Sequence, residues 1–103
     1  MELSLADVRE LLRPEIQESA YEVGKSYLIR CVPLYYTGRL IRETGGELVL
    51  EDAAWIASTG RFNEALKTGV LDEIEPFQST VIIPKATVVD ATEWSHDLPR
   101  EAK

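Results

Sequence analysis

The chain has 103 residues, and its 11 Lys and Arg against 18 Asp and Glu give a formal net charge of −7. This length is typical of one domain, and 45% hydrophobic with 28% charged residues is the composition of a chain that folds around a core. The negative charge argues against phosphate-backbone binding as the main role of the whole surface. No apolar run is long enough to span a bilayer and the N-terminus lacks a signal-peptide pattern, so we expect no membrane partner.

Most enzyme chemistries lack the residues they need in this sequence. Cys31 is the only cysteine and cannot form an internal disulfide, which suits a reducing compartment and predicts a cytoplasmic protein. A nucleophilic triad would have to use the only histidine, His96, which lies in a polar stretch. These two residues are too few for a zinc site, and no P-loop or GxGxxG is present. We therefore expect no cofactor, no bound metal and no catalytic residue.

The first part of the chain, residues 1–24, is predicted to be helical. Ser4 is a suitable N-cap, and Asp7 follows it closely, near the positive end of the helix. Pro14 ends this helix or begins a second short one, and Gly24 ends the helical segment. The apolar side chains of the first helix are spaced so that they share one face: Leu5, Val8, Leu11 and Leu12.

Residues 25–57 are predicted to form a meander of strands. Their strand-forming residues fall in three runs: 26–32, 34–42 and 47–56. Pro33 separates the first two runs, as a turn, edge or bulge would require. Gly38 predicts a sharp bend or bulge of the kind that curls a sheet toward a barrel.

A hairpin turn is predicted at residues 44–46, where Gly45 and Gly46 are expected to supply the positive φ that many hairpins need. In the strand that follows, Leu48 and Leu50 alternate with Glu47, Val49 and Glu51. This alternation predicts one buried face and one solvated face.

Residues 58–78 are predicted to be a variable connection with one helical stretch at 60–67, capped by Ser58 or Thr59 and closed by Gly69. The acidic part of this connection is interpreted as a solvated loop. Alternatively, this acidic part could dock a basic protein partner or coordinate a hard cation. The acidic residues concerned are Asp72, Glu73 and Glu75.

Residues 79–92 are predicted to form two short strands, at 80–83 and 86–91, that meet at a tight corner. Residues 93–103 are expected to be a polar tail. The whole chain is then a single domain of the mainly β class. Its expected architecture is an N-terminal helix plus a strongly bent five-stranded barrel, with the short helical insertion between the third and fourth strands.

Two stretches of the sequence resemble the motifs of the Sm/LSm-like (Hfq-like) family of small β-barrels. Residues 38–53 resemble the first Sm motif, with a glycine, a leucine two residues later, a turn, a Leu-x-Leu and an acidic-Ala ending. Residues 85–89 loosely resemble the second motif, in which an Arg-Gly pair (Lys-His in the Hfq branch) precedes a branched apolar residue. The predicted order of helix and strands is also similar to that of the family.

The resemblance implies a homo-oligomeric ring in which the fourth strand of one subunit pairs with the fifth strand of its neighbour, so that no edge stays open. The subunit interface would then contain Val81, Ile82, Ile83, Val88 and Val89. Trp94 is added to it because aromatic residues are enriched at interfaces. Family members commonly bind single-stranded RNA at the ring pore, and the corresponding residues here are Thr44, Gly45, Gly46, Glu47, Lys85 and Ala86.

Residues 25–42 contain four basic residues and no acidic one, although the chain as a whole is acidic. With interleaved tyrosines they could form a basic-aromatic surface for nucleic acid. The alternative is that they are solvated strand positions and partners in ion pairs between subunits. The residues of this candidate surface are Arg30, Tyr35, Tyr36, Arg39 and Arg42.

The leading hypothesis is a non-enzymatic Sm-like protein that assembles into a homo-oligomeric ring and acts as a scaffold or interaction module. The alternative is an Sm-like ring that binds single-stranded RNA at the pore, where Glu47 would repel phosphate. A third and weaker hypothesis is a carboxylate-based hydrolase that uses Glu51 or Asp52.

Overall fold

The computed structural model of the chain describes Ser4 and residues 18–103. The predicted N-terminal helix and the short helix after Pro14 fall in residues 5–17 almost entirely, and so lie outside the described residues. Residues 18–25 approach the sheet without helical structure and include a turn at Gly24. The amide of Gly24 donates to the carbonyl of Leu40 at 2.7 Å, which fixes this approach beside the second strand.

The described chain is mainly β, as predicted. Its elements, in chain order, are β1 Ser26–Cys31, β2 Leu34–Glu43, β3 Glu47–Ser58, α1 Phe62–Thr68, β4 Glu73–Pro76, β5 Val81–Pro84, a 3₁₀ turn at Lys85–Thr87 and β6 Val88–Glu93.

The strands form one antiparallel sheet of six strands in the order β4-β3-β2-β1-β6, in which β5 also pairs with β3. The predicted meander of the first three strands is confirmed by the ladders β1–β2 and β2–β3. β4 and β5 lie on the same side of β3, one after the other along its length. Among the described residues no ladder joins β5 to β6, so the sheet is open.

The connection between β3 and β5 contains a strand that the sequence did not reveal. β3 is 12 residues long and extends to Ser58, so its last part offers a ladder to β4, where Ile74 pairs with Ile56. The solvated-loop interpretation of the acidic stretch is therefore wrong. Ile74 is buried, whereas Glu73 and Glu75 on either side are exposed, which is the alternation of a half-buried strand. Four residues with two acids and a proline are too short and too polar to be recognised by pattern alone.

The bend predicted at Gly38 is a β-bulge between β2 and β3. Thr37 pairs with Ala54 and Arg39 pairs with Glu51, so Asp52 and Ala53 together face Gly38. Asp52 has a φ of 48°, a left-handed conformation that aspartate tolerates better than most residues. A Cβ at Gly38 would lie 2.9 Å from Cβ of Leu50, so only glycine allows the two strands to approach this closely.

The turn between β2 and β3 does not use positive φ at Gly45 or Gly46, and this part of the prediction is wrong. The side chain of Thr44 organises the turn instead. Its Oγ1 accepts hydrogen bonds from the amides of Gly46 at 3.3 Å and Glu47 at 3.0 Å.

Buried side chains form two clusters. The first cluster joins β1, β2, β3 and β5 and contains Tyr27, Ile29, Cys31, Leu40, Leu48, Leu50, Ala53 and Ile83. The second cluster packs the sheet against α1 and the C-terminal segment and contains Leu28, Ala54, Ile56, Ala65, Leu71, Ile74 and Trp94. Successive residues of β1 enter different clusters, because side chains alternate across a strand. The central strands are thus covered on both faces.

Helix α1 is confirmed near its predicted place, but neither Ser58 nor Thr59 caps it. The N-cap is Arg61, which makes no side-chain capping hydrogen bond. Gly69 closes the helix as predicted, with φ 76° and its amide bonded to the carbonyl of Ala65 at 2.8 Å.

Residues 93–103 are not a tail held away from the core. The amide of Trp94 donates to Ser26 at 2.8 Å, and the indole is only 4% exposed within the second cluster. Arg100 donates to two backbone carbonyls at 3.0 Å each, those of Ala53 and Phe77. Lys103 exchanges both backbone hydrogen bonds with Ile74, at 3.0 and 3.1 Å, and so pairs with the outer side of β4.

We predict that Gly38→Ala destabilises the fold by about 1–3 kcal/mol, because the new methyl group would push against the side chains of Leu50 and Ala53. Urea unfolding followed by circular dichroism measures this change. The matched control is Gly45→Ala, where nothing lies within 4 Å of the added carbon. A Gly38→Ala protein as stable as the control would contradict the close-approach explanation.

We predict that Thr37→Val raises the free energy of unfolding, by up to about 2 kcal/mol. The hydroxyl of Thr37 is fully buried beside Leu28 and Ala54 and has no hydrogen-bond partner among the described residues. Valine has the same shape without the cost of burying a lone hydroxyl. Thr92→Val on the exposed side of β6 is the control. A lower thermal midpoint for Thr37→Val, with Thr92→Val unchanged, would show that the hydroxyl is satisfied.

Candidate functional site: two strand edges and the loops beside them

The two loops that the family resemblance selected lie next to each other. The β2–β3 turn carries Thr44, Gly45, Gly46 and Glu47, and the 3₁₀ corner carries Lys85 and Ala86. The backbone amide of Lys85 donates to the carbonyl of Gly46 at 2.8 Å, which joins turn and corner directly. The predicted pore residues are therefore one cluster in the structure.

The charge of this cluster is already balanced inside the chain. Nζ of Lys85 donates to Oε2 of Glu43 at 2.7 Å, and the hydroxyl of Ser19 donates to the same oxygen at 2.6 Å. The hydrogen bond from Lys85, followed by that from Ser19, lowers the pKa of Glu43. Glu47 beside them is exposed. A phosphate approaching here meets a neutralised lysine and an exposed carboxylate, which does not favour RNA.

Two arginines of the predicted basic-aromatic surface form ion pairs within the chain. Arg30 forms a two-pronged pair with Asp90 of β6. Arg39 contacts Glu51 and Asp52 of β3, at 3.0 Å each. These two cations are each within ion-pair distance of acidic residues of their own chain. Among the described residues Arg42 has no ion pair, so it is the one arginine of this set that keeps an unbalanced charge.

The two tyrosines of that surface lie on opposite faces of the sheet. Tyr35 packs against the second cluster, and its ring centre is 5.8 Å from that of Phe62. Tyr36 packs against the first cluster and stacks on Phe77 at 6.1 Å. They cannot form one stacking platform for successive bases.

In the described fold, the outer edges of β5 and β6 have no strand partner. β5 pairs with β3 alone and β6 pairs with β1 alone, so each has one side without a strand partner. Each strand also exposes a branched apolar residue, Ile82 at 59% and Val89 at 53%. Of the other predicted interface residues Ile83 is buried in the first cluster, and Val81 and Val88 are half-buried beside it. Trp94 belongs to the core of its own chain and does not contribute to a surface.

Both edges carry features that limit indiscriminate pairing. Pro84 at the end of β5 has no amide hydrogen to donate. In β6, Asp90 pairs with Arg30 and Val88 with Cys31, so Val89 is an extra residue that bulges out of the ladder. Prolines and bulges on edge strands commonly limit aggregation. A strand that pairs with such an edge must therefore match its irregular shape.

An apolar cleft of about 260 Å³ opens beside β5. Cys31, Val32 and Tyr36 of the β1–β2 hairpin line one part of it, and Ile82, Pro84 and Thr87 line another. The hydroxyl of Thr87 lies 3.8 Å from the sulfur of Cys31. Val32 is 78% exposed at its rim.

Several acidic residues and His96 are the remaining candidates for metal binding or catalysis in the described part of the chain. They include no group of three or more potential metal ligands, and Asp72, Glu73 and Glu75 belong to none. The carboxylates of Glu51 and Asp52 are both engaged by Arg39. The ring of His96 is bonded to the carbonyl of Leu66 at 2.7 Å, at the end of α1. No helix within the described part of the chain has the length and apolar character to cross a membrane.

Comparison with known proteins adds no relative, since no family model, no curated protein and no solved structure matches the chain.

We predict that Glu43→Gln lowers stability at pH 7 by about 1 kcal/mol or less, because its ion pair with Lys85 is only partly shielded from water. The pKa of Glu43 is lower in the folded chain than in the unfolded one, so its contribution is present above its ordinary pKa and is lost as the pH falls through the folded value. The stability difference between wild type and Glu43→Gln should therefore shrink as the pH falls below ~4.

Denaturant unfolding at a series of pH values measures this difference. Glu75→Gln is the control, since Glu75 is exposed and has no ion pair among the described residues. A Glu43→Gln difference that stays constant from neutral to acid pH would show that the charge of Glu43 does not contribute to folding.

Proposed function

We propose that this chain is the subunit of a non-enzymatic, Sm-like assembly, in which β5 of one copy pairs with β6 of the next. The observation that carries the proposal is the pair of unpartnered strand edges, each with an exposed branched residue. Because the two edges differ, each copy would use one surface to contact the preceding copy and another to contact the following one. Such head-to-tail contacts give a ring when the rotation between copies closes.

The connection between the two edges supports a curved sheet. β5 and β6 stand at opposite ends of the order β5-β3-β2-β1-β6, which in a flat sheet would separate them by about 19 Å. Only Lys85–Thr87 joins them, and such a link spans at most about 14 Å even when extended. The sheet must therefore bend, and the bulge at Gly38 supplies one place for it. This curvature is what a small barrel with two adjacent open edges requires.

The distribution of charge favours a protein partner over nucleic acid. Lys25, Arg30, Arg39 and Lys85 are each within ion-pair distance of an acidic residue of their own chain. These four cations are therefore balanced within a chain whose net charge is −7. A second copy that adds strand to strand needs backbone hydrogen bonds and apolar contact, which do not depend on an excess of positive charge. The buried, unpaired thiol of Cys31 is compatible with a reducing location such as the cytoplasm.

We predict that Ile82→Lys weakens self-association about tenfold or more, because the substitution replaces an apolar contact with a charge that loses its water on assembly. Multi-angle light scattering over a concentration series measures the effect. Val70→Lys is the matched control, since Val70 is also 59% exposed but follows α1, away from both edges. Wild-type protein that remains a monomer at ~100 μM, far above the Kd of a functional assembly, would contradict the proposal.

Salt separates this proposal from RNA binding. Copies that carry a net negative charge repel one another, so self-association should strengthen as salt screens the repulsion. RNA binding would weaken with salt, because it releases counterions from phosphate. A gel shift of a short single-stranded RNA that disappears at higher salt and in Lys85→Glu would favour the pore-binding alternative.

A further inference from the structure

The outer edge of β4 is covered by the chain itself. The amide of Ile74 donates to the carbonyl of Lys103 at 3.1 Å, and the amide of Lys103 donates to the carbonyl of Ile74 at 3.0 Å. Such a mutual exchange is one hydrogen-bonded pair of an antiparallel ladder. Residues 100–103, named the guard segment below, therefore lie where a further strand would pair with β4.

The guard segment occupies the backbone groups that β4 directs away from β3. These groups alternate with the ones directed toward β3, so the next outward position after Ile74 is Pro76. Pro76 has no amide hydrogen to donate. The carbonyl of Phe77, directly after β4, accepts a hydrogen bond from Arg100 at 3.0 Å. A strand from another chain would thus find the outward donor of β4, the amide of Ile74, already bonded.

Charge also suits the guard segment to this edge. Both glutamates of β4, Glu73 and Glu75, are exposed. The guard segment places two basic residues, Arg100 and Lys103, beside them. Nε of Arg100 also lies 3.9 Å from Oδ1 of Asp52. An edge with this acidic character attracts a basic segment and disfavours an acidic one.

The guard segment is held separately from the core contacts that precede it. Trp94 is 4% exposed in the second cluster, its indole donates to the carbonyl of Asp97 at 3.2 Å, and Leu98 packs against the same cluster. The guard segment itself has no residue in either buried cluster. Segments with few buried apolar contacts open at a low cost in free energy. Residues 100–103 can therefore leave β4 while residues 94–98 keep their place.

We propose that the guard segment closes a further pairing edge, that of β4, against a second copy of the chain. Without the guard segment, Ile74 would offer the donor and acceptor that an added strand needs. A second copy can supply that strand, because its β5 has an unpaired side and contains no acidic residue to oppose the glutamates of β4.

The consequence is a choice between two edges on the same side of β3. With the guard segment in place β4 is closed, whereas β5 has no such cover among the described residues. The guard segment thus decides which edge is available to a neighbour. The proposal concerns contacts within one chain and does not rest on the pairing of β5 with β6.

Amide hydrogen exchange in the full chain tests how the guard segment is held. In Arg100→Ala the amide of Ile74 should exchange about tenfold faster or more, since the side chain that fixes the guard segment is lost. The amide of Asp72, which donates to Ser58 of β3 at 3.1 Å, should keep its wild-type rate because β4 stays attached. Arg42→Ala is the matched control, since Arg42 is exposed and has no ion pair among the described residues.

An unchanged exchange rate at Ile74 in Arg100→Ala would overturn the proposal. Equal acceleration at Ile74 and Asp72 would also overturn it, because β4 and the guard segment would then open as one unit.

Lys103→Pro removes the amide that donates to Ile74, and Lys103→Ala, which keeps that amide, is its control. In light scattering at ~100 μM, Lys103→Pro should have a mean mass about twice that of wild type or more, and Lys103→Ala should match wild type. Exchange at Ile74 in Lys103→Pro should then slow as the protein concentration is raised, because another copy covers β4. Circular dichroism checks that the fold is kept.

A Lys103→Pro protein with the wild-type mass would overturn the proposal, and so would added association that leaves the amide of Ile74 unprotected. Each variant is compared with wild type at the same concentration, so the result can be interpreted whether wild type is a monomer or an assembly. Failure here and failure of the proposed β5–β6 assembly are therefore distinguishable.

Discussion

The length of β3 is the constraint on which the rest of the fold depends. β3 is 12 residues long, twice the length of β1, and it pairs with β2 on one side and with both β4 and β5 on the other. A regular strand of that length would hold β2, β4 and β5 in one continuous, gently twisted sheet. The bulge at Asp52 and Ala53, opposite Gly38, divides it into two parts that can follow different directions. The first part, with Leu48 and Leu50, contributes to the first cluster, and the second part, with Ala54 and Ile56, contributes to the second.

This division explains why the two ends of β3 have different surroundings. Beyond the bulge, α1, β4 and the C-terminal segment cover the sheet, and Arg100 donates a hydrogen bond to the carbonyl of Ala53 in the bulge itself. Before the bulge, β5 is the outermost strand and its far side has no cover within the described chain. Lys103 pairs with Ile74, so the side of β4 that faces away from β3 is occupied at that point. The molecule thus protects one end of this sheet edge with its own chain and leaves the other end open.

The sequence predicted what depends on local pattern. The alternation of Leu48 and Leu50 located the buried face of β3, Gly38 located the bulge, and Gly69 located the end of α1. It did not predict β4, whose four residues become a strand only because the distant Ser58 end of β3 offers a ladder. The prediction that Trp94 lies at a subunit interface failed for a related reason. A tryptophan in a polar stretch does not indicate that it packs against Leu28 and Ala54, which are distant in sequence. The candidate site was predicted in part for the same reason. The sequence pattern indicated the turn at Thr44 and the corner at Lys85. Only the structure shows that a backbone hydrogen bond joins them and that Glu43 neutralises the lysine.

Charge and topology together decide what kind of partner suits this surface. A stretch of sequence with four basic residues and no acid looks electropositive when it is read along the chain. In the sheet two of those residues stand opposite acids on neighbouring strands, Arg30 opposite Asp90 and Arg39 opposite Glu51. Cross-strand pairs of this kind fix the register of β1 against β6 and of β2 against β3, and each uses a cation that phosphate would otherwise attract. The attraction left at the edges is short-ranged, from backbone groups and from Ile82 and Val89. The neighbouring copy that we propose would therefore recognise these edges by shape and backbone hydrogen bonds more than by charge.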